Sequence, residues 1–494
     1  MGANESSADD PSSGSSGALA EFFDFEEHGT NMRTEVLAGL TTFLTMSYIV
    51  VVNPAILSAA IQPEGIGPDR TFQMLAVVTI IAAATATLVM ALYAKRPFAQ
   101  APGLGLNAFF AFTVVLGLGI DWQVALAAVV VEGIVFVALT AVGARKYIIR
   151  LFPEPVKLSV GAGIGLFLAI IGLEEMRVVA GDGSTFVTFN PVFASDPVAV
   201  VSVVGLFLTL ALYARGVRGS IISGIVLTSI LGYAASALGY SAYPTDDSAL
   251  EEMGVSLLDV ALVPDAPITY DAASYNIAPL AGAFIEGLGN IEAFSFALVV
   301  FTFFFVDFFD TAGTLTGVSQ AAGFLDEDGN LPEIEKPLMA DAVGTTVGGM
   351  LGTSTVTTYI ESATGVEEGG RTGMTALVVA LLFLASLAVV PLAVAIPTYA
   401  SHLVLVVVGI IMLSNVAEIA WDDITYAIPA ALTIFVMPFT FSIAYGIAAG
   451  IVSYPVVKLA AGELDDTRLG HWLLAGAFVV YFFVRTSGVL AGSV

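Results

Sequence analysis

The sequence predicts an all-α polytopic membrane protein: fourteen transmembrane segments in two inverted repeats of seven, with one further apolar segment at the C-terminus. Three observations carry that prediction. The first is composition: 57% of the residues are hydrophobic and only 12% are charged, where a soluble globular chain carries roughly 25% charged residues. The second is length. Apolar runs of about 20 residues, enough to cross a bilayer as a helix, recur along nearly the whole chain. They show no period-2 alternation, so helices are favoured over a β-barrel. The third is the grouping of these runs into two sets, in each of which the third run is short and interrupted by glycine.

The elements follow in order. Residues 1–30 are expected to be a disordered acidic tail, whose start, MGANESSADDPSSGSSG, is of low complexity. It lacks the basic and apolar regions of a signal peptide. MGANES fits a myristoylation pattern at Gly2, a weak reading for an acidic tail on a chain that already spans the bilayer. Residues 31–240 hold the first repeat, with runs near 34–55, 71–93, 103–116, 122–143, 156–175, 195–214 and 219–240. A long acidic loop, 241–290, separates it from the second repeat, 291–460. There the runs lie near 291–318, 338–352, 356–367, 372–396, 402–418, 424–438 and 440–459. Residues 461–494 carry the leftover run 470–490, an additional span or an interfacial helix.

Basic residues test this topology. Arg33, Lys95, Arg96, Arg145, Lys146, Arg150, Arg215, Arg218, Lys336, Arg371, Lys458 and Arg468 all fall on one side if the N-terminus is cytoplasmic. The 241–290 loop has no Lys or Arg and falls outside. Arg70 and Arg177 are the exceptions. The formal charge of −27 argues against nucleic acid as a partner, because phosphate binding needs Lys and Arg. The acids crowd into EFFDFEEHGT, TDDSALEEMG and DEDGNLPEIE, a bias suited to concentrated salt, so a salt-adapted prokaryotic (halophilic) source is expected. With no cysteine there is no thiol chemistry.

Inside the apolar runs, polar residues are the functional candidates. Because seven is odd, the second repeat is inverted relative to the first, and paired broken segments in inverted halves point to a transporter's midplane site. The broken segments are APGLGLNAFFAF (101–112), carrying Asn107, and LGTSTVTTYIESATG (351–365), carrying Glu361. The greasiest run, FFFVDFFDTAGT, carries Asp307 and Asp310. A carboxylate at the bilayer centre costs about 2.5–3.5 kcal/mol, so the pair facing lipid would cost roughly 5–7 kcal/mol. At i, i+3 the two share a face and can turn to the bundle interior. They read as a substrate or proton site, or else as a polar cluster bonded to Thr311 or Thr314. Glu361 follows Thr353, Ser354, Thr355, Thr357 and Thr358, hydroxyls suited to a half-helix facing water; a cap or an interhelical hydrogen bond is the plainer alternative. Asn107 lies beside Phe109 and Phe110, an amide near flat rings that suits a planar ligand or simply core packing. Asp341 and Glu132 are buried acids that helix–helix hydrogen bonding also explains. Asn53-Pro54 reads as a helix break. His28, His402 and His471 sit at segment ends and make no metal or proton-relay site. GVEEGGRT only imitates a phosphate loop, having Arg for Lys and no preceding strand. GAGIG and GGMLG read as close helix packing.

The stretches EHGTNMRTEVLAGLTTFLTMSYIVVVNP, APGLGLNAFFAFTVVLGLGI, FVDFFDTAGTLTGV, LMADAVGTTVGGMLGTSTVTTYIESATGVEEGGRTG and IPAALTIFVMPFTFSIAYGIAAG resemble the AzgA-like adenine–guanine–hypoxanthine permeases. These are a branch of the nucleobase cation symporters in the nucleobase–ascorbate transporter superfamily, and the resemblance covers most of residues 25 to 460. It implies a core domain of segments 1–4 and 8–11, a gate domain of segments 5–7 and 12–14, and no enzyme activity or cofactor. The family's substrate residues map onto Asn107, Asp307 and Glu361. Asp310 maps onto a second acid important for transport, and Asp341, Thr358 and Phe109 are candidates for coupling or site support. The implied activity is purine import by cation symport through alternating access, with H⁺ preferred over Na⁺ and a homodimer as the candidate assembly. The unusually acidic 241–290 loop and the tail depart from the family pattern without touching the site. An anion carrier of the same architecture is the alternative, disfavoured by three acids at the site. An intramembrane aspartyl protease is more remote, since both aspartates lie on one helix.

Overall fold

The computed structural model describes residues 17–143, 152–183, 185–265, 268–270, 272–289, 293–326 and 331–486. The tail through Ser16, the basic cluster Arg145, Lys146 and Arg150, and the end of the 470–490 run lie outside them.

The first repeat opens with α1 (Met32–Met46) and α2 (Ile49–Leu57), followed by α3 (Pro68–Val89). Next come a strand, β1 (Gln100–Pro102), and a half-helix, α4 (Leu104–Ala108), which continues as π-helical turns over Phe109–Gly117. The repeat closes with α5 (Trp122–Ala141), α6 (Glu154–Glu175), α7 (Pro197–Ala214) and α8 (Ser220–Ala237). Between α6 and α7 a hairpin, β2 (Val179–Asp182) and β3 (Phe186–Phe189), pairs with β4 (Val255–Ser256) from the 241–290 stretch. That stretch therefore has structure of its own, including helices Ser248–Met253 and Phe284–Gly289.

The second repeat repeats the plan: α9 (Ala293–Ala322), α10 (Glu335–Leu351), β5 (Val356–Thr358), half-helix α11 (Ser362–Glu367), α12 (Gly373–Ser386), α13 (Thr398–Met412), α14 (Ile424–Phe439) and α15 (Ile443–Ala461). Among the described residues eight helices are long and apolar enough to cross a membrane, and shorter apolar helices accompany them. A final helix, α16 (Leu469–Thr486), follows. It runs antiparallel along α15, with His471 against Tyr454 and Phe482 against Tyr445, both at 5.2 Å between rings. It is about 27 Å long at 1.5 Å per residue and packs along α15.

Helix packing falls into two clusters. In one, α1, α3, α5, α9, α10 and α12 pack together; in the other, α6, α7, α8, α13, α14 and α15 do. Small residues set the closest crossings. A Cβ on Gly409 of α13 would stand 2.5 Å from the Gly165 carbonyl of α6, and one on Gly349 would stand 2.8 Å from Val130 of α5. The glycine motifs GAGIG and GGMLG thus lie at helix crossings.

Two features differ from the sequence reading or extend it. Asn53-Pro54 does not end a helix: both residues lie inside α2, and the irregular turn falls at Ser47 and Tyr48. Proline acts on the turn before it, where its ring crowds the carbonyl four residues back and its missing N–H leaves that carbonyl unbonded. Arg177, an exception to the basic-residue pattern, is only 1% exposed. Its guanidinium donates to the Leu258 carbonyl at 2.8 Å, the Tyr243 carbonyl at 2.9 Å and Asp196 at 3.4 Å. It pins the 241–290 stretch to the adjoining ends of α6 and α7 and is a bonded structural cation.

Candidate functional site

Two short extended segments meet at the centre of the molecule. Because the repeats are inverted, their third segments run in opposite senses, and β1 and β5 pair antiparallel with Gln100 opposite Thr358, Ala101 opposite Thr357 and Pro102 opposite Val356. The sequence permits this. Pro102 and Gly103 cannot prolong a helix into β1, and the β-branched run TSTVTT favours an extended backbone. Extended backbone at membrane depth must find partners within the protein. Here Gly103 N–H donates to the Thr355 carbonyl and Tyr359 N–H to the Ala99 carbonyl, both at 3.0 Å. Half-helices α4 and α11 then begin at the ribbon, so the positive end of each is directed at it.

Asp341 fastens the ribbon from behind. Fully buried on α10, it accepts the Thr358 N–H at 3.1 Å and the Thr311 hydroxyl at 2.9 Å. The Thr311 hydroxyl also lies 2.8 Å from Thr357 and 3.2 Å from Asp307. Gln100 completes the group, 3.2 Å from the Thr358 hydroxyl. One polar cluster therefore joins α9, α10, β1 and β5. Asp307 lies within it, with no exposed surface.

Asp310, one turn along α9, is different. It is half-buried, and its Oδ2 would stand 3.5 Å from a Cβ on Gly103 at the start of α4. Both Asp341 and Glu361 are within electrostatic reach of it. Glu361, also half-buried at the start of α11, accepts the Tyr48 hydroxyl at 2.5 Å. Tyr48 sits at the irregular turn between α1 and α2. Asn107 is fully buried in α4; its Oδ1 accepts the Ser354 hydroxyl, and its Nδ2 has no partner among the described residues. Phe109 is buried edge-to-face on Phe303, with centroids 4.8 Å apart.

The other intramembrane polar residues tie elements together. Glu132 accepts the Thr355 hydroxyl at 3.0 Å, joining α5 to β5. Asn53 donates to Thr79 at 2.6 Å and Thr353 at 3.0 Å. Sequence reasoning missed Tyr48, Gln100 and Tyr359, whose hydroxyl donates to the Pro102 carbonyl at 2.6 Å. The available signal was a polar residue beside a backbone break, next to Pro102 for Gln100 and in the turn before Pro54 for Tyr48. It also missed Glu35, fully buried, which accepts the N–H groups of Arg371 at 2.9 Å and Thr375 at 3.1 Å and so caps α12.

The site thus offers two half-buried carboxylates and one amide N–H, with no Lys or Arg bonded to them among the described residues. This donor–acceptor set suits a neutral ligand rich in N–H groups.

Residues 33–449 match the Permease family. A permease of Methanocaldococcus jannaschii is 44% identical over 472 residues, which cover 95% of this chain and 99% of that protein. The adenine permease AdeP of Escherichia coli is 38% identical over 450 residues, covering 91% and 92%. The guanine/hypoxanthine permease PbuG of Bacillus subtilis is 38% identical over 466 residues, covering 94% and 98%. Among solved structures, the transmembrane domain of the cyanobacterial bicarbonate transporter BicA superposes with a TM-score of 0.55 at 15% identity, covering 85% of this chain and 97% of that one. The fold is shared; at that identity the cargo is not implied.

Proposed function

Since the chain belongs to the Permease family and is a multi-pass membrane protein, we propose that it imports purine nucleobases, binding them where α4, α9 and α11 approach the crossed strands. Its relatives include adenine and guanine/hypoxanthine permeases covered almost end to end. The observation that carries the reading is that Asn107 and Glu361 stand on the broken segments that flank the paired strands, with Asp310 of α9 beside the start of α4. A neutral purine presents ring N–H donors, which Asp310 and Glu361 accept, and N7 or O6 acceptors, which the Asn107 N–H meets. Asn107, Glu361 and the Asp307–Asp310 pair form the substrate wall. Of the pair, the sequence reading puts Asp307 at the purine; the half-buried position of Asp310 favours Asp310 for that contact in this proposal, with Asp307 held beside it by Thr311. Asp341 and Thr358 hold the ribbon in register, and Phe109 packs behind Asn107.

Transport in this reading is alternating access. The cluster containing α1, α3, α5, α9, α10 and α12, with the broken segments, is the core; the cluster containing α6–α8 and α13–α15 is the gate. The N-terminus is cytoplasmic. Coupling is to a cation, H⁺ before Na⁺, because protonating a carboxylate changes both its charge and its hydrogen-bonding role. Uptake of radiolabelled hypoxanthine and adenine into proteoliposomes, with proton and sodium gradients imposed separately, tests the proposal. Accumulation under neither gradient sinks symport, and absence of any purine flux sinks the substrate class.

A further inference from the structure

A second cavity lies outside the crossed strands, on the face that carries the β2–β3 hairpin. Its volume is about 170 Å³, and its lining includes Glu174 at the end of α6, Val179–Gly181 of β2, Phe186 and Val187 of β3, and Phe441 between α14 and α15. The scale suits one small planar molecule and is well below a drug-sized site.

Three features of its walls are unexplained by packing. Phe186 and Phe441 both adopt left-handed backbone, with φ of 73° and 47°, a conformation unfavourable for bulky side chains and one that persists where the surroundings impose it. Their rings stand edge-to-face, 5.9 Å between centroids, with Phe186 half exposed at the rim. Glu174 occupies the last turn of α6, where a negative charge opposes the helix dipole. Its side chain has no hydrogen bond or ion pair among the described residues, although it is half-buried.

One wall of the cavity is also bonded to neighbouring helices. The Phe441 carbonyl accepts the Thr113 hydroxyl at 3.4 Å, and its ring packs against Phe167 of α6 at 5.9 Å. Thr113 lies six residues beyond Asn107 on the same helical segment, about 9 Å along its axis. Phe441 therefore ties the cavity wall to the helical segment that carries Asn107.

We infer that this cavity is an outer binding site for a planar, N–H-bearing heterocycle, where a nucleobase stacks on Phe186, packs against the edge of Phe441 and donates to Glu174. The inference rests on the purine reading above and extends it to a site with separate residues. The test uses the full-length chain in proteoliposomes and radiolabelled hypoxanthine. Phe186→Ala and Glu174→Gln each raise the uptake KM by about five- to tenfold and leave Vmax unchanged. Saturation-transfer NMR with hypoxanthine keeps a ligand signal in Glu361→Ala protein and loses it when Val187→Trp is added to that same protein to fill the cavity. Unchanged KM in both substitutions, with wild-type uptake intact, overturns the outer site. A wild-type chain that takes up no purine overturns the activity reading instead. The NMR arm then decides the cavity: a signal removed by Val187→Trp supports it, and no signal overturns it.

Discussion

Tyr48 and Glu361 are 313 positions apart and share a 2.5 Å hydrogen bond, so the site depends on a contact that no local pattern announces. A hydrogen bond to a charged group contributes about 1.5–3 kcal/mol, and losing a substrate contact of that kind lowers purine uptake about 10- to 100-fold. Glu361→Gln is expected to do so, measured as kcat/KM for hypoxanthine. Tyr48→Phe keeps the ring and removes only the donor, so its effect is smaller and falls mainly on KM. Equal losses in the two variants would show that the phenol itself touches the ligand. The acids were legible in the sequence because charge in an apolar run is costly wherever it faces lipid. Their division of labour was not. Asp307 and Asp310 share a helix face, yet Asp307 is fully buried beside Thr311 while Asp310 is half-buried near Gly103. That difference comes from α10 and β5, which only the tertiary fold brings together.

Elements were easier to read than residues, since bilayer thickness fixes helix length and hydropathy then marks each span. Breaks were legible where glycine, proline and hydroxyl-rich runs coincide, as at β1 and β5. The break near Pro54 was misplaced because proline disturbs the turn before itself. The paired strands are held by Asp341, and Asp341→Ala strands the Thr358 N–H in a dry interior and removes one of the three partners of the Thr311 hydroxyl. Each unsatisfied group costs about 1–3 kcal/mol, so the variant should unfold at clearly lower temperature in detergent, with Asp341→Asn recovering part of the loss. A thermal midpoint matching wild type would show that the ribbon is held by backbone pairing alone. Caps at the membrane surface act more weakly. Asp423 accepts the Thr425 hydroxyl at 2.7 Å and its N–H at 2.8 Å, bonds that hold its carboxyl below the usual range. A depressed folded value means this stabilisation is present above the unfolded value, near 3.9, and is lost as pH falls through the folded one. Asp423→Ala therefore costs about 1 kcal/mol at neutral pH, and less as pH falls through the depressed folded value, so thermal melts should show the gap to wild type narrowing from pH 7 downward.

At the scale of the molecule, charge is distributed with a clear logic. The formal net charge is −27, and Glu26, Glu27, Asp246, Glu251, Glu252, Asp259, Glu286, Asp326, Glu463 and Asp465 are exposed on segments that flank the membrane helices. Few cations answer them: Lys95 pairs with Asp24 and Lys458 with Glu463 and Asp466, while Arg177 is used up in the interior. Like charges on a compact surface repel, and the repulsion favours expanded states. Salt shortens its range, with a Debye length of about 8 Å at 0.15 M and about 3 Å at 1 M. The surface pieces should therefore tighten as salt rises, while the apolar helices, held by lipid and packing, respond little. The expected outcome is a thermal midpoint that climbs by several degrees as KCl goes from about 0.1 M to about 2 M, and climbs equally in choline chloride because screening is indifferent to the cation. Replacing Asp246, Glu251, Glu252 and Asp259 together by Asn or Gln should flatten the climb, since it removes the densest cluster of the outer face. A midpoint that stays level or falls with salt in the unaltered chain overturns the expectation of salt adaptation and leaves the acidic surface to be explained by solubility alone.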